Sequence, residues 1–307
     1  FLRNLFSMKK ILIPLFSVAV MISCGTAQVS DGASSHPVST KHNKAFTDAY
    51  NMIKADDLKK NLYVIASDEM EGRDTGSKGQ KKAGEYIVNY YKSLGVSHPK
   101  ALGSYYQKVP SEFMKKRGGG NLPDSENILA FIEGSEKPEE IVVVSAHYDH
   151  VGTKNGTVYN GADDDGSGTV AVMEMAKAFQ QAKKAGKGPK RSVLFLHVTG
   201  EEHGLFGSEY YTDNPVFPLA NTVVDLNIDM IGRDDPANRG KQYVYVIGSD
   251  MLSSQLKVIN EAANKRTNNL ELNYKYDDLN DPEQLYYRSD HYNCLLYTSD
   301  AADEEDS

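Results

Sequence analysis

The chain is 307 residues long, enough for one large α/β domain or two small ones with an ample core. Its 42 acidic residues outnumber its 34 basic ones, giving a formal charge of −8. That balance argues against nucleic acid as a main partner and suits a site whose carboxylates are neutralised by bound metal.

Met8-Lys-Lys followed by the apolar run Ile11 to Ile22 has the basic start and short hydrophobic stretch of an export signal. It is too short to span a bilayer comfortably. It closes on Met21-Ile-Ser-Cys24, which resembles the cleavage box of bacterial lipoproteins with Cys24 as the lipidated first mature residue. Met21 stands where such boxes usually carry Leu, and plain cleavage after Ala27 is the alternative. Either way the protein is expected to be exported, as a periplasmic or outer-surface lipoprotein or in secreted form. The lipid on Cys24 would be its one membrane contact. Residues 1–23 are read as an upstream extension and signal, 24–43 as a tether, and 44–293 as the folded domain.

Residues 44–66 read as helical, with Leu58, Leu62 and Ile65 among the apolar positions. A turn cluster, Ala66 to Gly79, leads into a helix carrying Ala83, Ile87, Tyr90, Tyr91 and Leu94 and stopped by Gly95. Tyr105 to Val109 and Asn127 to Ile132 are expected as strands of a hairpin or meander, joined by a flexible connection at Lys115 to Asn121. From Glu139 the pattern becomes strand, loop, helix, repeated, which predicts an α/β fold with a mostly parallel mixed sheet flanked by helices. Ile141 to Ser145 leads to His147-Tyr-Asp-His150, and Gly161-Ala-Asp-Asp-Asp-Gly-Ser-Gly168 opens a long helix. The run Val193 to Val198 stops at Gly200-Glu-Glu202, and Thr222 to Ile228 stops at Asp229. Tyr243 to Ile247 is a further strand, and the next helix spaces Leu252, Leu256 and Ile259 at i, i+4 and i+7. Arg288-Ser-Asp-His291 follows.

Cys294 to Asp303 resembles the conceptual translation of a transposon-end sequencing adapter, and Glu304 to Ser307 continues it as an acidic run. A disordered acidic tail is the alternative. On the adapter reading the natural protein continues past Asn293, residues 294–307 are not its own, and with Cys24 carrying lipid no disulfide is expected.

Five candidate metal ligands therefore sit at or just after strand ends: His147, one Asp of 163 to 165, Glu202, Asp229 and His291. Each also has a plain structural reading, as a hydrogen-bonded histidine, a helix cap or a solvated turn. In an open α/β sheet, however, the carboxyl ends of the strands form the mouth of the site. Imidazoles and carboxylates without thiolate, gathered there, suit zinc or a similar divalent ion.

The ordered set His-x-Asp, Gly-Ala-x-Asp-Asp-Gly-Ser-Gly, Glu-Glu-x-Gly-Leu-x-Gly-Ser, Asp-Met-x-Gly and Ser-Asp-His resembles the exported dizinc aminopeptidases, the bacterial leucyl aminopeptidase family, related to glutamate carboxypeptidases and transferrin-receptor ectodomains. The likeness runs from Leu62 to Asn293. It implies an α/β/α zinc-exopeptidase sandwich, two Zn2+ per chain, and peptides with a free N-terminus as substrates. By position, His147, Asp164 and Asp229 would hold one ion and Asp164, Glu202 and His291 the other. Glu201 would be the general base, and Asp149 the acid that fixes the His147 tautomer. Asp163, Asp165 and His150 fall outside this ligand set. A carboxypeptidase or dipeptidase, a single-metal glutaminyl-cyclase relative and a non-catalytic relative are the rival readings. Family members continue with another strand and a closing helix, which the chain lacks if it is cut at Asn293.

Overall fold

The computed structural model describes residues 48 and 50–293, apart from 250, 252, 254 and 268. The export signal, Cys24, the tether and the segment from Cys294 onward lie outside the described residues. Helix α1 (Ala55–Ile65) places Asp56 and Asp57 in its first turn, where the helix dipole favours negative charge, and buries Asn61 and Ile65. A tight 3-10 turn follows (Asp68–Arg73). Helix α2 (Lys78–Leu94) starts at Ser77, whose hydroxyl oxygen accepts from the Gln80 amide, and stops at Gly95, which takes the left-handed conformation open to glycine at φ 73°.

Strand β1 (Tyr106–Val109) is followed by a short helix α3 (Ser111–Lys116). Phe113, Met114, Val109 and Phe206 form a small apolar cluster that holds α3 in place. Order in this connection thus begins before the glycine run and reaches into the Lys115–Asn121 stretch expected to be flexible. Strands β2 (Ser125–Ile132) and β3 (Lys137–His147) come next, with a small ribbon of β4 (Thr153–Lys154) and β5 (Thr157–Val158). Helix α4 (Gly168–Lys184), β6 (Arg191–Val198), α5 (Phe206–Asp213) and β7 (Thr222–Asn227) complete the main layers. A separate pair, β8 (Tyr243–Tyr245) and β9 (Glu271–Asn273), flanks α6 (Leu256–Arg266) in the sequence.

The main sheet runs β1-β2-β6-β3-β7. β6, β3 and β7 are parallel, while β2 is antiparallel to both its neighbours. The apolar runs are explained by burial on both faces. Ile128, Ala130, Val144, Ala146, Val193 and Phe195 pack on one side with α2 and α4, through Ile87, Tyr91, Val172 and Met173. The alternate residues Leu129, Ile141, Val143, Leu194, Leu196 and Val198 pack on the other with Tyr211. Among the described residues β7 pairs only with β3, and Val223 and Leu226 are exposed. Among the described residues no helix is long and apolar enough to cross a membrane.

Gly207, at the start of α5, touches the end of β6 so closely that a Cβ would overlap the Thr199 carbonyl and the Asn127 side-chain oxygen. Gly207→Ala is expected to destabilise the fold by about 1–3 kcal/mol, the usual range for overpacking, measured by urea unfolding.

His197 on β6 is fully buried, its Nε2 2.6 Å from the Tyr91 hydroxyl. Burial pushes its pKa from 6.5 down to about 3, so it stays neutral in the fold. The unfolded chain binds this proton and the folded chain does not. The stability tied to His197 is therefore complete above pH 6.5 and is lost as pH falls from there toward 3. His197→Gln should flatten the loss of stability between pH 6.5 and 4 in parallel denaturation curves; an unchanged slope would contradict the assignment.

Candidate metal centre

Parallel pairing sets the positions of the site. His147 ends β3 in register with Val198, which ends β6, so Glu201 and Glu202 emerge beside it. On the other flank the Ile228 amide donates to the Ser145 carbonyl at 2.9 Å, which sets Asp229 beyond the end of β7. Three neighbouring strands thus deliver an imidazole and three carboxylates to one rim.

The three adjacent aspartates separate by function. Asp163 accepts from the Gly232 amide at 2.8 Å. Asp165 is fully buried, and one of its oxygens accepts from the Gly168 and Met230 amides, capping α4 and tying down the turn after β7. Asp164 alone turns its carboxylate to the rim, 3.1 Å from His147 Nε2. His147 Nε2 also lies 3.8 Å from Asp229 and 3.9 Å from Glu201.

Two groups of convergent ligand atoms result, each within 4.8 Å: His147, Glu201 and Asp229, and His150, Asp164 and Glu202. His150, outside the ligand set drawn from the sequence, sits with Nδ1 2.5 Å from Glu202. The His-x-Asp-His spacing contained it, but nothing in the sequence told a rim histidine from a loop histidine. His291 packs its ring against Tyr286, 5.5 Å between centroids, and stands outside both groups while sensing the charge of Asp229. Ser289 braces this segment: it donates to Asp229 at 2.8 Å and accepts from the Asn227 amide group at 2.7 Å.

Asp149 lies beneath the rim with no exposure. Its carboxylate accepts from the Thr75 hydroxyl at 3.0 Å and from the Glu201 amide at 3.3 Å. His147 Nδ1 is 3.2 Å from the Asp149 carbonyl and 3.8 Å from its carboxylate. The Asp149 residue therefore underpins both the imidazole and the backbone of Glu201. Asp290, not singled out from the sequence, is also buried and accepts from Ser208 at 2.6 Å.

Buried polar atoms are almost always hydrogen-bonded, yet Asp229 Oδ1 and His291 Nε2 lack such a partner, and His147 Nε2, His150 Nδ1 and Glu202 Oε1 face only other imidazole and carboxylate groups of the rim. A bound cation would satisfy the two convergent groups. Electrostatics agree. Burial drives the Glu201 pKa up to about 9, with Asp290, Asp149 and Asp229 adding to the rise against the pull of His147. Burial alone would raise Asp229, but His147 and the Ser289 hydroxyl outweigh it and hold the carboxylate below its usual range. Burial opposes protonation of His147, and Asp164 and Asp229 overcome it, placing its pKa well above the ordinary value. A mixed imidazole and carboxylate donor set of this kind is chemically suited to zinc.

The family model for peptidase family M28 matches residues 127–303, more than half of the chain. The chain belongs to peptidase family M28. The match covers every ligand candidate of the rim. Among M28-like relatives, a probable zinc metalloprotease of Leptosphaeria maculans is 32% identical over 124 residues, 39% of this chain and 27% of that protein. A probable glutamate carboxypeptidase of Arabidopsis thaliana is 33% identical over 105 residues, 34% of this chain and 14% of that protein. The chain thus spans well under half the length of these relatives. LapB from Legionella pneumophila has the same fold, with a TM-score of 0.61 at 21% identity, covering 84% of this chain and 63% of that one.

Proposed function

We propose that this M28 chain is an exported zinc exopeptidase that removes N-terminal residues from peptides, with two ions per chain and Glu201 as the general base. The observation that carries this reading is the convergence of buried and half-buried imidazole and carboxylate atoms, facing one another, at the ends of three parallel strands. His147, Asp164 and Asp229 would hold one ion, and Asp164, Glu202 and His291 the other, with His150 beside Glu202. Zinc bound there supplies Lewis acidity toward the scissile carbonyl and makes water nucleophilic at neutral pH. Glu201 takes the proton from the attacking water and returns it to the departing amine. Asp149 holds the Glu201 amide and so fixes where that carboxylate stands.

The sign of the charge favours a free amine as the recognised end. Carboxylates crowd the rim, and the buried Arg73 spends its donors on main-chain carbonyls. Arg233 is exposed, 3.8 Å from Asp163, so the substrate comparison below decides between the free-amine reading and the carboxypeptidase alternative. Export, and a lipid at Cys24, rest on the sequence motif alone. Peptides are the proposed partners, with no role for nucleic acid.

The test compares leucyl, alanyl and lysyl chromogenic amides with their N-acetylated forms and with N-acyl dipeptides bearing a free carboxylate. Each is assayed before and after chelation and zinc add-back. Zinc-restored cleavage of the free amines alone supports the reading. Cleavage of the N-acyl dipeptides alone would replace it with a carboxypeptidase, and zinc-independent turnover would overturn the metal chemistry.

A further inference from the structure

Arg73 is the largest fully buried side chain among the described residues. A buried guanidinium is usually paired with a carboxylate, because an unpaired buried charge is costly. Among the described residues this one makes no ion pair and bonds to carbonyls alone. Nε donates to Tyr148 at 2.8 Å, Nη1 to Ile65 at 2.7 Å and Asn160 at 2.7 Å, and Nη2 to Gly161 at 2.8 Å. Those carbonyls belong to three separate pieces of chain. Ile65 ends α1. Tyr148 lies between His147 and Asp149. Asn160 and Gly161 lead directly into the Asp163–Asp165 loop.

The backbone at Arg73 repeats the pattern. Glu71, Gly72 and Arg73 all adopt left-handed φ values of 53°, 70° and 53°. This turns their carbonyls toward the loop after β3, where Arg73 O accepts from the His150 amide at 3.1 Å and Gly72 O from the Gly152 amide at 3.0 Å. A Cβ at Gly72 would overlap the Gly152 and Tyr159 carbonyls, so glycine is required by space as well as by conformation. One residue thus fastens both loops that carry His147, His150 and Asp164, through its side chain and its main chain.

We propose that Arg73 is a positioning residue that preorganises the two ligand-bearing loops for metal capture and holds them in place before any ion arrives. The proposal rests on reading the rim as a metal site. The planar fork of arginine suits it to this task, since it meets several fixed carbonyls at once where a lysine ammonium cannot keep the same geometry. Its charge acts with the fork. Burial lowers the Arg73 pKa to about 10, against the pull of Asp149, Asp165, Asp164 and Glu202, so the side chain stays cationic at neutral pH and offsets carboxylate repulsion at the rim.

Two variants separate fork from charge: Arg73→Lys keeps the charge and loses the fork, and Arg73→Met loses both. Zinc affinity is read by competition with a chromogenic chelator, and ligand geometry by the absorption spectrum of the cobalt-loaded protein. Both variants are expected to bind zinc about ten- to a hundredfold more weakly, the range seen when outer partners of metal ligands are removed, with an altered cobalt spectrum. A purely structural arginine would lower the melting temperature and leave affinity and spectrum unchanged in the folded variant; that result overturns the proposal.

Hydrogen exchange on the metal-free wild type gives a test that does not depend on a variant folding. The His150 and Gly152 amides, and the Gly166 amide that donates to the Gly161 carbonyl at 3.1 Å, are expected to be protected before zinc is added. Protection that appears only with zinc would show that the ion, not Arg73, orders the loops. Wild-type protein that takes up no zinc overturns the metal-site reading itself, which is distinct from wild type and variants binding zinc equally.

Discussion

Glu201→Gln is expected to keep its metal and to lose turnover by about two to four orders of magnitude, the span general acid–base catalysis commonly contributes. Glutamine matches glutamate in size and keeps the main-chain amide that Asp149 accepts, so the local backbone has no reason to move. What disappears is the carboxylate proposed to shuttle a proton from water to leaving amine. The assay is kcat together with metal content of the same preparation. The result matters because Glu201 lies within ligand distance of His147 and Asp229. If Glu201 were a ligand, the substitution would cost metal as well as rate, and the base would have to be sought elsewhere. Near-normal turnover would remove Glu201 from the chemistry altogether.

Asp164→Asn should have the larger effect on the folded protein. Asp164 is grouped with His150 and Glu202 and also faces His147 of the other set at 3.1 Å, so it stands where the proposal puts the ligand shared by both ions. The amide is a weak ligand, and the variant is expected to lose metal and to show only background hydrolysis. It should also lose the stabilisation that bound metal confers. An ion present at about a thousand times its dissociation constant adds about 4 kcal/mol to the folded state. The wild type should therefore melt higher with zinc than with chelator, and Asp164→Asn should melt alike in both. Asp163→Asn is the control, because its carboxylate serves the Gly232 amide and not the rim. A zinc-dependent melting shift preserved in Asp164→Asn would refute the shared role.

The sheet was legible because its strands are buried on both faces. Val142 to Ala146 and Val193 to Val198 are apolar except for Ser145 and the buried His197, and the polar residues that follow are where each strand leaves the core. The rim was legible for the same reason, since ligands at strand ends punctuate apolar runs. What stayed hidden depends on partners distant in sequence. The residues alone did not tell the three adjacent aspartates apart; the family resemblance pointed to Asp164, and the physical reason appears only in the fold, where Gly232, Gly168 and Met230 claim the other two. His150 joined the rim only once Glu202 came to meet it. Leu256 and Ile259 recur at helical spacing, yet α6 buries none of its residues and exposes Val258 and Ile259. Periodicity reports that a face is apolar; it does not report what covers it.

The position of β7 has a kinetic consequence. Among the described residues its backbone ladder is bonded to β3 on one side only, and none of its six residues is fully buried, whereas β3 and β6 are locked between neighbours. Fluctuations that open a protein begin where the fewest buried contacts must break. Peeling β7 from β3 would carry away Asp229 together with its Ser289 brace and leave His147, Asp164 and the two glutamates in place on the rest of the scaffold. On the proposed ligand set, release of β7 would open the centre from that side without unfolding of the domain.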